Sequence, residues 1–117
     1  MSATTSYQWL CGGQKFFPAM FAAISNARRS IDLEIYIFAN DQSGRKMLDV
    51  LISAAKTGIR VRVLTDAYGS FMLPGNFFAP LIAAGGEVRT FNPLRFGRFG
   101  VRDHRKLLIC DAHTVFV

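Results

Sequence analysis

Two periods of hydrophobic residues follow one another along this chain, and they constrain its fold more than any other feature. From Ile31 to Phe38 the side chains alternate between an aliphatic set and a mixed polar and aromatic set, which is the period of a strand. From Met47 to Ala55 apolar residues recur at helical spacing, and Gly58 supplies a stop signal. A second strand is predicted from Arg60 to Thr65. Strand, helix and strand in this order predict a crossover unit with two parallel strands.

The rest of the chain continues the same architecture. An amphipathic helix with Pro18 in its first turn is predicted to end near Ala27, and Asp41 or Ser43 can cap the helix that carries Met47. The remaining predicted elements are a short helix through Phe78, Leu81 and Ile82, which ends at Gly85-Gly86, a strand at Glu87–Phe91, and a final hairpin made of Leu107–Cys110 and a strand from Thr114. At 117 residues, 50% of them hydrophobic, the chain suits one domain with a single core. We therefore predict an α/β sandwich with a mostly parallel central sheet.

The strongest chemical signal is His-x-Lys-x-x-x-x-Asp, formed by His104, Lys106 and Asp111. In a strand, side chains two positions apart lie on the same face, about 6.6 Å from each other. A neutral imidazole can attack phosphorus or carry a proton near neutral pH. An ammonium group stabilises the charge on phosphoryl oxygens during displacement. The spacing of His104 and Lys106 therefore suits one phosphate held between them.

Asp111 has a different predicted role. It follows His104 by an odd number of positions, so an uninterrupted strand would turn it to the opposite face. It also begins the turn-like stretch Asp111-Ala112-His113-Thr114, and Asp is favoured at the first position of a turn. We interpret Asp111 as a residue that holds a hairpin and does not touch substrate.

The motif and its surroundings resemble the HKD motif of the phospholipase D superfamily. The resemblance rests on His104–Asp111 followed by Thr114–Val117. Within the superfamily, the chain is most similar to the bacterial cardiolipin synthase branch. The upstream segments that share it are Ile31–Phe38, Gly58–Asp66, Tyr68–Ser70 and Ala84–Val88. The resemblance thus covers nearly the whole chain.

The resemblance implies phosphatidyl transfer through a phosphohistidine, without a metal or other cofactor. His104 would be the nucleophile or the acid/base, Lys106 would bind phosphate, and Asp111 would complete the motif. Family members use two such motifs, from two halves of one chain or from two subunits. Residues 1–117 form a single N-terminal lobe in this interpretation, and they stop just before the glycine-rich segment that follows the motif in the family. We therefore expect the isolated chain to be inactive without a second motif.

Charge and hydropathy bear on partners and location. The net charge of +6 implies attraction to anionic partners. Arg95, Arg98 and Arg102 concentrate this charge near the motif, and they alternate with Phe91, Phe96 and Phe99 in a pattern suited to a membrane interface, to stacked bases or to a solvated loop. The longest apolar run is too short to span a bilayer and follows no basic leader. We expect a cytoplasmic protein peripheral to the cell membrane, with an anionic phospholipid as substrate.

Other assignments remain open at this stage. A homodimeric phospholipase D-like endonuclease is the alternative enzyme, and nucleic acid is a partner only in that case. A truncated, catalytically inert lobe that binds anionic surfaces is the third hypothesis. Cys11 and Cys110 are predicted to be buried, reduced thiols, and His113 to be structural. Asp32 and Glu34 are predicted to pair with Arg60 or Arg62 on a neighbouring strand.

Overall fold

A computed structural model describes residues 13–36, 38–66, 73–91 and 106–117. Within these residues the chain forms three helices and five strands, in the order that the sequence predicts. The helices are α1 (Gly13–Asn26), α2 (Gln42–Lys56) and α3 (Ala79–Ala83), and the strands are β1 (Ser30–Ile35), β2 (Arg60–Asp66), β3 (Glu87–Phe91), β4 (Lys106–Cys110) and β5 (Thr114–Phe116).

The strands form one sheet in the order β3-β2-β1-β4-β5. β1, β2 and β3 pair in parallel, whereas β4 is antiparallel to both β1 and β5. Four of the five strands therefore run in one direction, which confirms the α/β fold with a mostly parallel sheet. We call the edge where β1, β2 and β3 end the carboxyl end of the sheet, and the opposite edge the amino end. Because β4 runs the other way, it begins at the carboxyl end.

One face of the sheet is covered and forms the core. In each of the three central strands, β2, β1 and β4, the buried apolar side chains lie two positions apart and point to this face. Helices α1, α2 and α3 supply the side chains that pack against them. The fully buried members include Met20, Ile24, Ile31, Leu51, Val61, Leu81 and Leu108, each at most 1% exposed. Burial of such aliphatic side chains contributes about 1.5–3 kcal/mol each. The period-two pattern of β1 thus places its apolar row against the helices.

Helix α2 begins and ends as its sequence predicts. The Asp41 carboxylate accepts a hydrogen bond from the Gly44 N–H at 2.8 Å, so Asp41, and not Ser43, is the N-cap. Thr57 is the C-cap, and Gly58 follows it in the left-handed region with φ 90°. Glycine adopts this conformation without the clash that a Cβ would cause.

Two local predictions are wrong. α1 begins at Gly13, so Pro18 lies in the second turn and not in the first. The ring of Pro18 is exposed, and its cost is the loss of one backbone N–H donor within the helix. The hairpin turn begins one residue earlier than predicted, because His113 N–H donates to the Cys110 carbonyl at 3.0 Å. Asp111 is therefore its second residue, with φ 57°, a conformation that Asp tolerates better than most residues.

Candidate active site

The predicted motif lies along β4, which crosses the sheet from one end to the other. Lys106 opens the strand, and its backbone pairs with Ile35, the last residue of β1. Paired Cα atoms in an antiparallel ladder are about 5 Å apart. The lysine of the motif is therefore fixed at the carboxyl end of the parallel strands, the edge where open α/β sheets bind ligands. His104 and the arginine- and phenylalanine-rich stretch before it lie outside the described residues.

Asp111 lies at the other end of β4 and binds backbone groups. Its carboxylate accepts hydrogen bonds from the N–H groups of Arg28 and Arg29, with distances of 3.1 Å for Arg28 to each oxygen and 2.6 Å for Arg29. The N–H of Ser30, the first residue of β1, donates to the same carboxylate at 3.1 Å. The Asp111 N–H in turn donates to the Ser30 carbonyl at 2.8 Å. These contacts join the hairpin turn to the loop between α1 and β1.

The same contacts set the charge state of Asp111. Hydrogen bonds from Arg29, Ser30 and Arg28 hold the pKa of its carboxyl group below the ordinary value of 3.8. Backbone N–H groups that point at a carboxylate stabilise the ionised form. Asp111 is therefore a fixed anion near neutral pH, at the end of the sheet opposite to Lys106.

Cys110 precedes Asp111 and lies in the core, where it is 3% exposed. It is a free thiol, which confirms the prediction for this cysteine, whereas Cys11 lies outside the described residues. Burial, with a smaller contribution from the charge of Asp111, raises the pKa of the Cys110 thiol to about 11. A thiol with this pKa is protonated at neutral pH and is a poor nucleophile.

The face of the sheet opposite to the helices carries charged residues. Arg62 Nε donates to Asp32 Oδ1 at 2.6 Å, and the two residues are direct neighbours in the β1–β2 ladder. This confirms the predicted cross-strand partner of Asp32. The face encloses a shallow groove of about 630 Å³ with Leu64, Leu107 and Ile109 among its lining residues. Two of its charged residues, Asp32 and Arg62, form this cross-strand pair, and Ile35 is not among the residues that line the groove.

Two features at the carboxyl end were not identified from the sequence. Asp66, the last residue of β2, is 0% exposed, and the only signal for it was a carboxylate at the end of a predicted strand. A cavity of about 230 Å³ also opens beside Ile35. Its walls come from α1, β1 and α2, so only the packing of these elements brings them together.

The described residues offer few other candidate groups. His113 is exposed in the hairpin turn, at the amino end of the sheet. Within the part of the chain that the structure describes, no group of three or more His, Cys, Asp or Glu side chains is placed to hold a metal ion. No helix among those residues is both long and apolar enough to cross a membrane.

Comparison with known proteins confirms the predicted family and fold. The family model described as "Cardiolipin synthase, PLD-like domain" matches residues 20–117. Major cardiolipin synthase ClsA of Bacillus subtilis is 41% identical over 109 residues, which cover 90% of this chain and 23% of ClsA. Cardiolipin synthase B of Escherichia coli K12 is 37% identical over 116 residues, covering 94% of this chain and 28% of that protein. The chain therefore spans about a quarter of the length of these relatives.

Solved structures agree at the level of the fold. Nuc from Salmonella typhimurium, a phospholipase D family member, matches with a TM-score of 0.62 and 25% identity, over 84% of this chain and 59% of Nuc. NucT from Helicobacter pylori matches with a TM-score of 0.57 and 22% identity, over 80% of this chain and 58% of NucT.

Proposed function

Because the chain belongs to the phospholipase D-like domain family of cardiolipin synthases, we propose that it is one catalytic lobe of a phosphatidyltransferase. The substrate class is anionic glycerophospholipid, and the reaction transfers a phosphatidyl group to the hydroxyl of a second glycerol-containing lipid. The transfer uses no metal or other cofactor. In this proposal residues 1–117 belong to the N-terminal lobe, and a second HKD motif completes the site.

The proposed reaction has two displacement steps. A histidine ring nitrogen attacks phosphorus, the bond from phosphorus to the leaving head-group oxygen breaks, and the second histidine protonates that oxygen. The acceptor hydroxyl then gives its proton to the second histidine as it attacks the phosphohistidine, which releases the first histidine. His104 fills one of these two roles. The ammonium group of Lys106 stabilises the negative charge on the phosphoryl oxygens in both steps.

The observation that carries the proposal is the position of β4. Lys106 begins this strand at the carboxyl end of the sheet, and Asp111 follows its last residue at the amino end. The three neighbouring N–H groups that bind the Asp111 carboxylate define the register of β4 against β1. We infer that Asp111 acts within the motif as an anchor that fixes the position of Lys106, and not as a group that contacts substrate.

Location and assembly follow from the same proposal. A lobe that acts on phospholipid works at a membrane surface, and we place it at the cytoplasmic side of the cell membrane as a peripheral protein. The net charge of +6 favours association with anionic lipid. The second motif comes either from the other half of a longer chain or from a second copy.

The test is cardiolipin formation from vesicles of phosphatidylglycerol. The chain is assayed alone and after extension to a second lobe that carries the same motif, and we expect turnover only from the extended form. His104→Ala should then reduce turnover at least about a thousandfold, because it removes the nucleophile or the acid/base. His113→Ala is the matched control, since this exposed histidine lies in the hairpin turn. Turnover retained by His104→Ala would refute the assigned role.

A homodimeric phospholipase D-like endonuclease is the second candidate. The observation that favours it is the fold match to Nuc, a phospholipase D family member, with a TM-score of 0.62. This candidate predicts that the chain dimerises and cuts DNA without added metal. A chain that remains monomeric and leaves DNA intact excludes it.

A catalytically inert lobe is the third candidate. It predicts binding to anionic vesicles without turnover in any extended form. This binding should weaken as salt increases, because charges on exposed residues are screened. Binding that does not respond to salt would contradict this candidate.

A further inference from the structure

The cavity at the carboxyl end of the sheet is mainly apolar. It encloses about 230 Å³, more than the roughly 150 Å³ of engineered apolar cavities that bind benzene. Its polar contribution comes from Asp41 and Ser43 on the side of α2. The residues that line it are Phe17, Ile35, Phe38, Ala39, Asp41, Ser43, Gly44 and Met47.

The walls of this cavity are held by specific contacts. The first turn of α2 approaches the segment after β1 so closely that a Cβ on Gly44 would lie 1.8 Å from the Ala39 carbonyl oxygen. Arg45 Nη1 donates to the Asn40 carbonyl at 3.1 Å, which is a second contact between α2 and the segment after β1. Phe38 packs edge to face against Phe78, with ring centroids 5.1 Å apart. These contacts fix the segment after β1 against α2 and against Phe78, so the packing of these elements defines the cavity.

Ile35 connects the cavity with the motif. This residue lines the cavity and is also the backbone partner of Lys106. Paired Cα atoms lie about 5 Å apart, so an apolar ligand segment in the cavity lies next to the strand that carries the motif lysine. If the phosphate of a phospholipid lies at the motif, as the proposed function requires, an apolar portion of the same molecule would lie beside the cavity.

We propose that this cavity binds the part of an acyl chain nearest to the glycerol of the phospholipid substrate. The proposal rests on the proposed phosphatidyl transfer, because that function supplies both the ligand and its orientation. Charge supports this orientation. The carboxylate of Asp41 lies at the cavity and would repel a phosphate group, whereas the walls formed by Phe17, Phe38 and Met47 favour methylene groups.

The test measures the affinity of the 117-residue chain for glycerol 3-phosphate and for its monoacyl esters. The acyl group is lengthened stepwise from acetyl to octanoyl, below the concentration at which the esters form micelles. Each methylene that enters the cavity should tighten binding about fourfold. The affinity should reach a plateau when the cavity is full, because further methylenes remain in water.

Two variants reduce the space in the cavity. Ala39→Leu adds volume from the segment after β1, and Ser43→Leu adds it from the exposed start of α2. Both should abolish most of the dependence on chain length while leaving the affinity for glycerol 3-phosphate unchanged. Ala83→Leu is the matched control, because Ala83 is an exposed residue of α3 that does not line the cavity.

The possible outcomes separate this proposal from the proposed function. Equal affinity for every chain length overturns the cavity assignment and leaves phosphate binding by the motif intact. A length dependence that persists in both leucine variants places the acyl chain elsewhere and also overturns it. Tighter binding of a dinucleotide than of the octanoyl ester counts against the acyl assignment and favours the endonuclease candidate. Failure to bind even glycerol 3-phosphate overturns the proposal and counts against the phosphate site itself.

Discussion

The two ends of the sheet are built in different ways. At the amino end, backbone hydrogen bonds join neighbouring elements: Arg60 N–H donates to the Arg29 carbonyl at 3.1 Å, and the Asp111 carboxylate binds the start of β1. At the carboxyl end, β4 begins at Lys106 and a cavity opens beside Ile35. Among the described residues, the amino end is closed by hydrogen bonds within the chain, whereas the carboxyl end carries a cavity.

The difference shows how a short motif can combine chemistry and structure. Lys106 is the first residue of the five-residue strand β4, and Asp111 follows the last residue of this strand. A strand rises about 3.3 Å per residue, so they are separated by about 16 Å. Anchoring Asp111 therefore fixes the register of β4 without occupying the end at which substrate is proposed to bind. A one-residue slip would turn every side chain of β4 to the opposite face.

The largest expected effect is on activity at the carboxyl end. Lys106→Met in the extended enzyme should lower transfer by about a hundredfold to a thousandfold, because it removes a cation that stabilises developing charge. Lys56→Met is the control, since Lys56 is exposed in the last turn of α2, before β2 begins at the amino end. The measurement is the rate of cardiolipin formation, with circular dichroism to verify folding. Equal losses in both variants would contradict the proposed role of Lys106.

The second effect concerns the packing beside the cavity. Gly44→Ala should lower the free energy of unfolding by about 1–3 kcal/mol, because the added Cβ overlaps the Ala39 carbonyl oxygen and forces a backbone shift. Gly75→Ala is the matched control, since no atom lies within 4 Å of a Cβ built on Gly75. Denaturant unfolding measures both variants. A Gly44→Ala chain as stable as Gly75→Ala would show that the close approach does not exist in solution.

The third effect tests the amino end. Asp111→Asn should destabilise the fold at neutral pH, because an amide accepts N–H hydrogen bonds more weakly than a carboxylate. Contacts with Arg29, Ser30 and Arg28 lower the pKa of Asp111 in the folded chain. The carboxylate of Asp111 therefore contributes its full stabilisation at pH values above its ordinary pKa of 3.8. This contribution is lost as the pH falls through the lowered pKa of the folded chain.

Unfolding of wild type and Asp111→Asn across this pH range provides the measurement. The difference in stability between the two chains should narrow as the solution becomes acidic. Asp49→Asn is the control, because Asp49 is an exposed residue of α2. A difference that stays constant down to strongly acidic pH would show that Asp111 does not titrate as an anchored carboxylate.

The smallest effect is expected midway between the two ends, at the ion pair of Arg62 and Asp32. Both side chains are partly exposed, at 49% and 30%, and such pairs contribute little because water and salt screen them. Arg62→Gln should therefore change stability less than either Gly44→Ala or Asp111→Asn, as measured by denaturant unfolding. Arg89→Gln removes the same charge from the same face as a control. If Arg62→Gln lowered the free energy of unfolding as much as Gly44→Ala does, the ion pair would contribute more to stability than this prediction allows.

Local patterns predicted most of the fold. The alternation of β1, the stripe of α2 and the stop at Gly58 correspond to observed elements, and Asp32 meets Arg62 as expected for neighbours on parallel strands. These features depend on residues close in sequence or in register. The position of Pro18 within α1 was predicted wrongly, because the helix begins at Gly13. Packing of α1 against the sheet tolerates an exposed proline in the second turn, and helix propensity does not include this packing.

The site divides in the same way. The sequence alone determined the motif, the order of the elements and the chemical types of His104 and Lys106, because these depend on spacing along one strand. Only the tertiary structure decided that Asp111 binds the N–H groups of Arg28, Arg29 and Ser30, more than eighty positions away in the chain. It also decided that α1, β1 and α2 enclose a cavity next to Lys106. Contacts between residues far apart in sequence arise from packing, and packing leaves no periodic signal for a sequence to show.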